Sequence, residues 1–348
     1  MRKLLCLAVV LAVVLLPLGA YVRLSQAGLG CPDWPGCYGR LSPVHAAAEI
    51  AHAMQLQPDG PVSPDKAWKE MTHRYLAGVL GMLVLGYWWQ AWRQRQRLAA
   101  ASLLLVLLLL QATLGMLTVT LQLRPLVVTT HLLLGMSLFA LLLREAIGRY
   151  QPRVAVLPSP WRLAALLVLL LLGQIALGGW MAANQAALAC QGFPRCNGNW
   201  WPDMQLAAAL PGWPLAAGGH VALPAAALVA VHWLHRVGAL LLLCVLVAVI
   251  WRLWCYSALR RNLCLLGLLA GLQLLLGIAN VLWLRPLPVA LAHHVLAMLL
   301  LALALGLLCR LQPVASWRGR IAIRERQAQP AAILVRNWPG KRSGMHGE

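Results

Sequence analysis

Residues 98–121 read LAAASLLLVLLLLQATLGMLTVTL, a stretch without a single charge. A helix rises about 1.5 Å per residue, so about 20 such residues cross a hydrocarbon layer roughly 30 Å thick. Ala164–Leu172 is another uncharged run of the same kind. The rest of the chain repeats this character: 61% of its 348 residues are hydrophobic and only 11% are charged, with a mean hydropathy of +0.72. A soluble domain carries about 25% charged residues, so a soluble enzyme is excluded. Leu, Ala and Trp supply the bulk, and small residues with Leu suit helices packing in lipid. The alternating strands of a membrane barrel are absent from the pattern.

Eight spans are expected, near 4–22, 73–91, 98–121, 126–143, 162–183, 224–251, 263–284 and 288–309. The fold class is an all-α membrane protein whose eight transmembrane helices form two pseudo-symmetric four-helix bundles. Residues 1–155 make the N-terminal bundle, 156–312 the C-terminal bundle and 313–348 a basic cytoplasmic tail. The first span has the look of a secretion signal, with Arg2-Lys3, an apolar run and then Leu18-Gly19-Ala20. It has a counterpart deep in the chain that cannot be a signal, so it is expected to be retained.

The formal charge of +20 does not point to nucleic acid, because the basic residues punctuate the apolar runs and gather in no single patch. Twenty of the 29 basic residues fall on one side, among them Arg2, Lys3, Arg93, Arg95, Arg97, Arg144, Arg149, Arg153, Arg162, Arg252, Arg260 and Arg261. That bias places both termini in the cytoplasm of a multi-pass protein, with loops 23–72 and 184–223 facing outward. The basic tail either lies on anionic lipid or is simply solvated.

The two halves of the chain match. Leu18-Gly19-Ala20, Gln26, Cys31 and Cys37 recur as Leu177-Gly178-Gly179, Gln185, Cys190 and Cys196 at an offset of 159. His73-Arg74, Gln111, Gly115 and His131 recur as His235-Arg236, Gln273, Gly277 and His293 at an offset of 162. Leucine-rich helices resemble one another by chance, but matched His, Cys and Gln positions do not arise that way. Two four-helix units that both enter from the cytoplasm are parallel repeats about an axis along the membrane normal.

Within each half two histidines stand 58 residues apart, His73 with His131 and His235 with His293. Each lies at or shortly after the start of a helix running inward from the outer face, so the members of a pair share one depth. Ionisable side chains inside a membrane are costly and mark function. Two imidazoles opposed between helices are what holds a haem iron from both faces, or from one face with the other open. Gly78, Gly81 and Gly135 in the first half, with Gly238 and Ala297 in the second, are expected to leave room for the flat ring. Zinc would require three or four convergent ligands, which two separate pairs do not provide. His294 competes with His293, but only His293 keeps the spacing. His45, His52 and His220 are expected to be solvated in outer loops.

Arg74 and Arg236 follow a candidate ligand directly, and each suits a haem propionate or an interfacial position. Glu70 lies three residues before His73, where the second half has His232, so the two pockets match in ligands and differ in polar neighbours. A carboxylate there suits proton steering or the stabilisation of developing positive charge, or else it serves as a partner for the helix dipole. Cys31 with Cys37 and Cys190 with Cys196 each bracket a short turn in an outward loop, where an oxidising compartment favours two disulfides. These pin the loops over the bundle mouth, with a redox role for Cys31 and Cys37 as the lesser reading. Cys6, Cys244, Cys255, Cys264 and Cys309 are expected to pack within the spans.

These residues carry a resemblance to the heme A synthase family. The carriers are Gly19 to Ser25, Gly28 to Cys37, Glu70-x-x-His73-Arg74, Thr130-His131-Leu132, His232-Trp233-Leu234-His235-Arg236 and Ala292-His293-His294. The resemblance covers about residues 4–309. It implies an eight-helix enzyme of the bacterial inner membrane that oxidises the C8 methyl of heme O to a formyl group by successive hydroxylations. It also implies that His235 and His293 hold a permanent heme b iron, and that His73 and His131 flank the substrate heme O with Glu70 taking part. Heme O synthase and an electron donor are the partners it brings to mind, beside membrane lipid. The rival readings are a di-haem b-type cytochrome that only passes electrons, and a haem carrier without chemistry.

Overall fold

A segment in lipid satisfies all its own backbone N–H and C=O groups only as a helix, and the uncharged runs fold accordingly. The structure, a computed structural model, describes residues 1–148, 151–209 and 223–314. In chain order its elements are α1 (Arg2–Leu24), α2 (Ala47–Leu56), α3 (Pro64–Arg93), α4 (Leu98–Thr120), α5 (Pro125–Ile147) and β1 (Val154–Val156). They continue with α6 (Pro158–Ala183), α7 (Leu206–Ala209), α8 (Ala225–Leu253), α9 (Arg260–Leu282), α10 (Leu287–Arg310) and β2 (Leu311–Pro313). Among the described residues seven helices are long and apolar enough to cross a membrane: α1, α4, α5, α6, α8, α9 and α10.

The remaining expected span, 73–91, lies inside α3, a 30-residue helix less apolar than the others. Tyr87, Trp88, Trp89, Gln90 and Trp92 fill its last two turns, and aromatic side chains of this kind belong at a membrane–water boundary. Trp88 and Trp92 stack there with ring centroids 6.4 Å apart. The helix also begins earlier than expected. The Ser63 hydroxyl accepts the N–H of Lys66 at 3.3 Å, Pro64 occupies the first turn and Asp65 supplies an acid there.

α1 and α4 each pack against α3 and α5, while α6 and α9 each pack against α8 and α10. The halves meet where α5 touches α6 and where α10 touches α1 and α5. One continuous buried cluster draws on all eight long helices, including Leu5, Val84, Leu104, Leu142, Leu167, Val249, Leu263 and Leu301. Ala8, Ala12, Ala101 and Ala164 are essentially sealed within it, which lets backbones approach closely. α1 is therefore an integral part of the core. Leu109, Leu169, Leu240, Leu268 and Leu275 stand 59% to 66% exposed on the outer faces, the distribution of a surface that lipid covers.

Two features at the ends of the helices were not expected. β1 and β2 pair in parallel, Val154 beside Leu311, and tie the approach to α6 to the exit of α10. Arg97, just ahead of α4, forms an ion pair with Glu145 near the end of α5. His220, Arg149 and the tail beyond residue 314 lie outside the described residues.

Candidate functional site

α3 and α5 carry His73 and His131, and α8 and α10 carry His235 and His293; all four are half-buried. Each ring lies against a glycine on a neighbouring helix: His73 on Gly19, His131 on Gly115, His235 on Gly178 and His293 on Gly277. A β-carbon placed on those glycines would stand 2.9 Å from His73 Nε2, 3.3 Å from His131 Cε1, 3.1 Å from His235 Cε1 and 3.3 Å from His293 Cε1. A side chain at Gly19 would clash with the ring, and one at the other three would force its ring to give by a few tenths of an ångström. The contacts obey the offsets of the repeat, so ring and glycine were duplicated together. The four expected histidines thus lie on corresponding helices of the two halves, each in the same kind of seat.

Sequence reasoning missed the partners of these rings. The Gln111 amide nitrogen lies 3.3 Å from Nε2 of His131, and the Gln273 amide nitrogen 3.2 Å from Nε2 of His293. The Gln174 amide lies 3.1 Å from Nδ1 of His235 and donates to the His235 carbonyl at 2.8 Å. The clue was a recurring polar residue, Gln111 and Gln273, inside otherwise apolar helices. Gly135 and Gly238, expected to leave room for a flat ring, instead receive these side chains: Gln111 lies against Gly135 and Gln174 against Gly238. Beside Gly78 there is open space.

The Nδ1 atoms of His131 and His293 are buried and without a hydrogen-bond partner. Such an atom is costly unless something binds it, so an imidazole-ligated ring suits both pairs. Among the described residues no three His, Cys, Asp or Glu converge on one point, so the paired arrangement is the one to be explained. His293 rather than His294 has the glutamine and glycine contacts. His232 is buried, as is Glu70 at the matching position.

Above each pair sits a disulfide loop, Cys31–Cys37 or Cys190–Cys196, with Cα atoms 4.9 and 4.8 Å apart. Gly30 presses on the backbone of Lys66 and Ala67 in α3, an approach that no β-carbon permits. Asp33 caps the first loop by accepting the N–H groups of Tyr38 and Gly39, both at 2.6 Å. Partial burial, with this carboxylate nearby, pushes the Tyr38 phenol up from its usual range.

Arg74 donates to the carbonyls of Asp33, at 2.8 Å, and Gly36, while Arg236 donates to those of Cys190, at 2.8 Å, and Gly192, at 2.9 Å. Both arginines, expected to face haem carboxylates, spend N–H donors on their loops; Nε of Arg236 stays buried and unpaired. Glu70 accepts from Arg74 at 2.6 Å and from the Cys31 N–H at 3.0 Å, so its carboxylate joins α3 to the first loop. His45 and His52 are exposed, as expected. Cys6, Cys244 and Cys264 are exposed too, and so face outward from the helices rather than packing between them.

The model of the cytochrome oxidase assembly protein family COX15-CtaA matches residues 2–305. A protein named heme A synthase from Shewanella oneidensis is 43% identical over 86% of this chain and 92% of its own length. One of the same name from Methylobacterium sp. strain 4-46 is 32% identical, covering 88% and 90% respectively. Another, from Halalkalibacterium halodurans, is 28% identical over 83% and 89%. With glycine-seated histidine pairs on both sides of an internal repeat and a family match across nearly its whole described length, this chain belongs to the cytochrome oxidase assembly protein family COX15-CtaA.

Proposed function

We propose that this chain makes heme A from heme O, oxidising the C8 methyl group to a formyl group by two successive hydroxylations and loss of water. The observation that carries this reading is the duplication of a histidine pair whose surroundings differ between the halves. The first pair has Glu70 and Arg74 at its rim; the second has His232 and Arg236 at the matching positions. An electron conduit has no use for that difference, whereas one resident cofactor and one passing substrate do.

His235 and His293 hold the resident heme b, which supplies one-electron redox chemistry when bound. His73 and His131 flank the substrate heme O. Gly19, Gly115, Gly178 and Gly277 set the position of each imidazole. Arg74 and Arg236 hold the loops over the two sites, and their remaining N–H donors are suited to the propionate carboxylates. Glu70 is placed at the rim of the substrate site, where a carboxylate moves a proton or stabilises positive charge.

Residues 1–155 form the substrate half and residues 156–312 the cofactor half, each a four-helix bundle, with α3 completing eight crossings of the bacterial inner membrane. Both termini are cytoplasmic. The enzyme that forms heme O and an electron donor are its partners. Extraction of pigment from the purified protein, followed by chromatography, tests the reading: heme B with heme O or heme A is expected. Heme B alone, at two per chain, would establish a di-haem cytochrome instead.

A further inference from the structure

At the offsets of the repeat, a second exchange of residues, besides Glu70 for His232, lies beside the ligand candidates. In the second half, Gln174 stands one helical turn before Gly178, the glycine on which His235 rests. Its amide donates to the His235 carbonyl at 2.8 Å and lies 3.1 Å from Nδ1 of the ring. It fits there because position 238, one turn beyond His235, is glycine, and a β-carbon at 238 would collide with the Gln174 side chain. In the first half the positions matching Gln174 and Gly238 are Leu15 and Leu76. Leu15 is buried in the core and Leu76 packs against it. The polar residue and the space for it are thus present together or absent together.

The consequence is unequal restraint. His131 and His293 each have a glutamine on the neighbouring helix, Gln111 and Gln273. His235 has Gln174, while among the described residues no side chain hydrogen-bonds the His73 ring. Both imidazoles are therefore tethered in the second half and only one in the first. A tether removes rotational freedom from a side chain before it binds, so a tethered pair holds a ring more tightly than a half-tethered one.

We infer that Gln174, seated on Gly238, is the positioning residue that makes the C-terminal site a permanent haem site, and that Leu15 and Leu76 at the matching places keep His73 free so that the N-terminal site exchanges its ring. This rests on the assignment of resident and substrate haems under Proposed function and adds the residues that separate them.

The test begins with Gln174→Met, which keeps the volume and loses both hydrogen bonds, in the full chain purified from membranes. Its melting temperature and elution profile report folding independently. Haem content and the low-spin electron paramagnetic resonance signal report the ring. About a tenfold faster loss of heme B to a haem-scavenging apoprotein is expected, the scale usual for groups that orient a ligand, together with a shifted low-spin signal. The reciprocal variant Leu15→Gln with Leu76→Gly is expected to slow release of heme O or heme A from the first half, leaving heme B retention unchanged. Unchanged heme B release and an unchanged signal in folded Gln174→Met would overturn the inference. Absence of heme B from the unmodified protein would instead overturn the functional reading on which it stands.

Discussion

Replacing His235 or His293 with Ala is expected to remove the b-type haem signal from the purified protein and to abolish heme A formation. In the proposed heme b site each ring is one half of a two-sided clamp, and each lies against a glycine and beside a glutamine. Alanine leaves an iron ligand missing and a glutamine amide without its partner, so neither affinity nor geometry survives. The matching substitutions His73→Ala and His131→Ala are expected to abolish conversion while the low-spin heme B spectrum persists. Reduced-minus-oxidised spectra of the four variants read this directly. A heme B signal that survived in His235→Ala and vanished in His73→Ala would assign the halves the other way round.

Glu70→Gln is expected to lower heme A formation by about 100-fold or more, the scale of a lost proton-transferring group, with heme B retained. The amide preserves shape, which matters because Glu70 also supports the first disulfide loop through Arg74 and the Cys31 N–H. Glutamine and alanine alike leave Arg74, also largely buried, without its anion, and breaking such a pair costs about 3–5 kcal/mol. Only the amide keeps an oxygen that accepts from Arg74 or the Cys31 N–H. Arg74→Gln is the control, since it removes the other half of the ion pair and keeps the carboxylate. If Glu70 only held the loop, both substitutions would reduce conversion equally. Its participation in the chemistry requires Glu70→Gln to be far the more damaging. Turnover of heme O in membranes, normalised to heme B content, measures the difference.

Much of the architecture could be read from the chain before any coordinates. Uncharged runs such as 98–121 leave a helix as the only outcome in lipid, and the offsets of 159 and 162 showed which residues belong together. The four histidines stood out because ionisable groups in apolar helices are conspicuous. What escaped were contacts between helices. Nothing in periodicity says that Gln174 reaches His235, or that Gly238 serves that glutamine rather than a flat ligand. α3 was misjudged at its start. Its start at Pro64 followed from the Ser63 cap, which hydropathy does not weigh, and its Trp-rich end reads as weakly apolar although such residues suit the boundary. The arginines were expected to meet haem carboxylates, but the nearest acceptors proved to be the carbonyls of the chain's own loops.

The central claim, that one half of the molecule keeps its iron porphyrin while the other oxidises one passing through, is tested most directly by expression beside heme O synthase in a host that forms no heme A. The account predicts heme A in chromatograms of the extracted membranes, and none when this chain is omitted or carries His73→Ala. Accumulation of unaltered heme O beside a fully folded, heme B-loaded protein would contradict it.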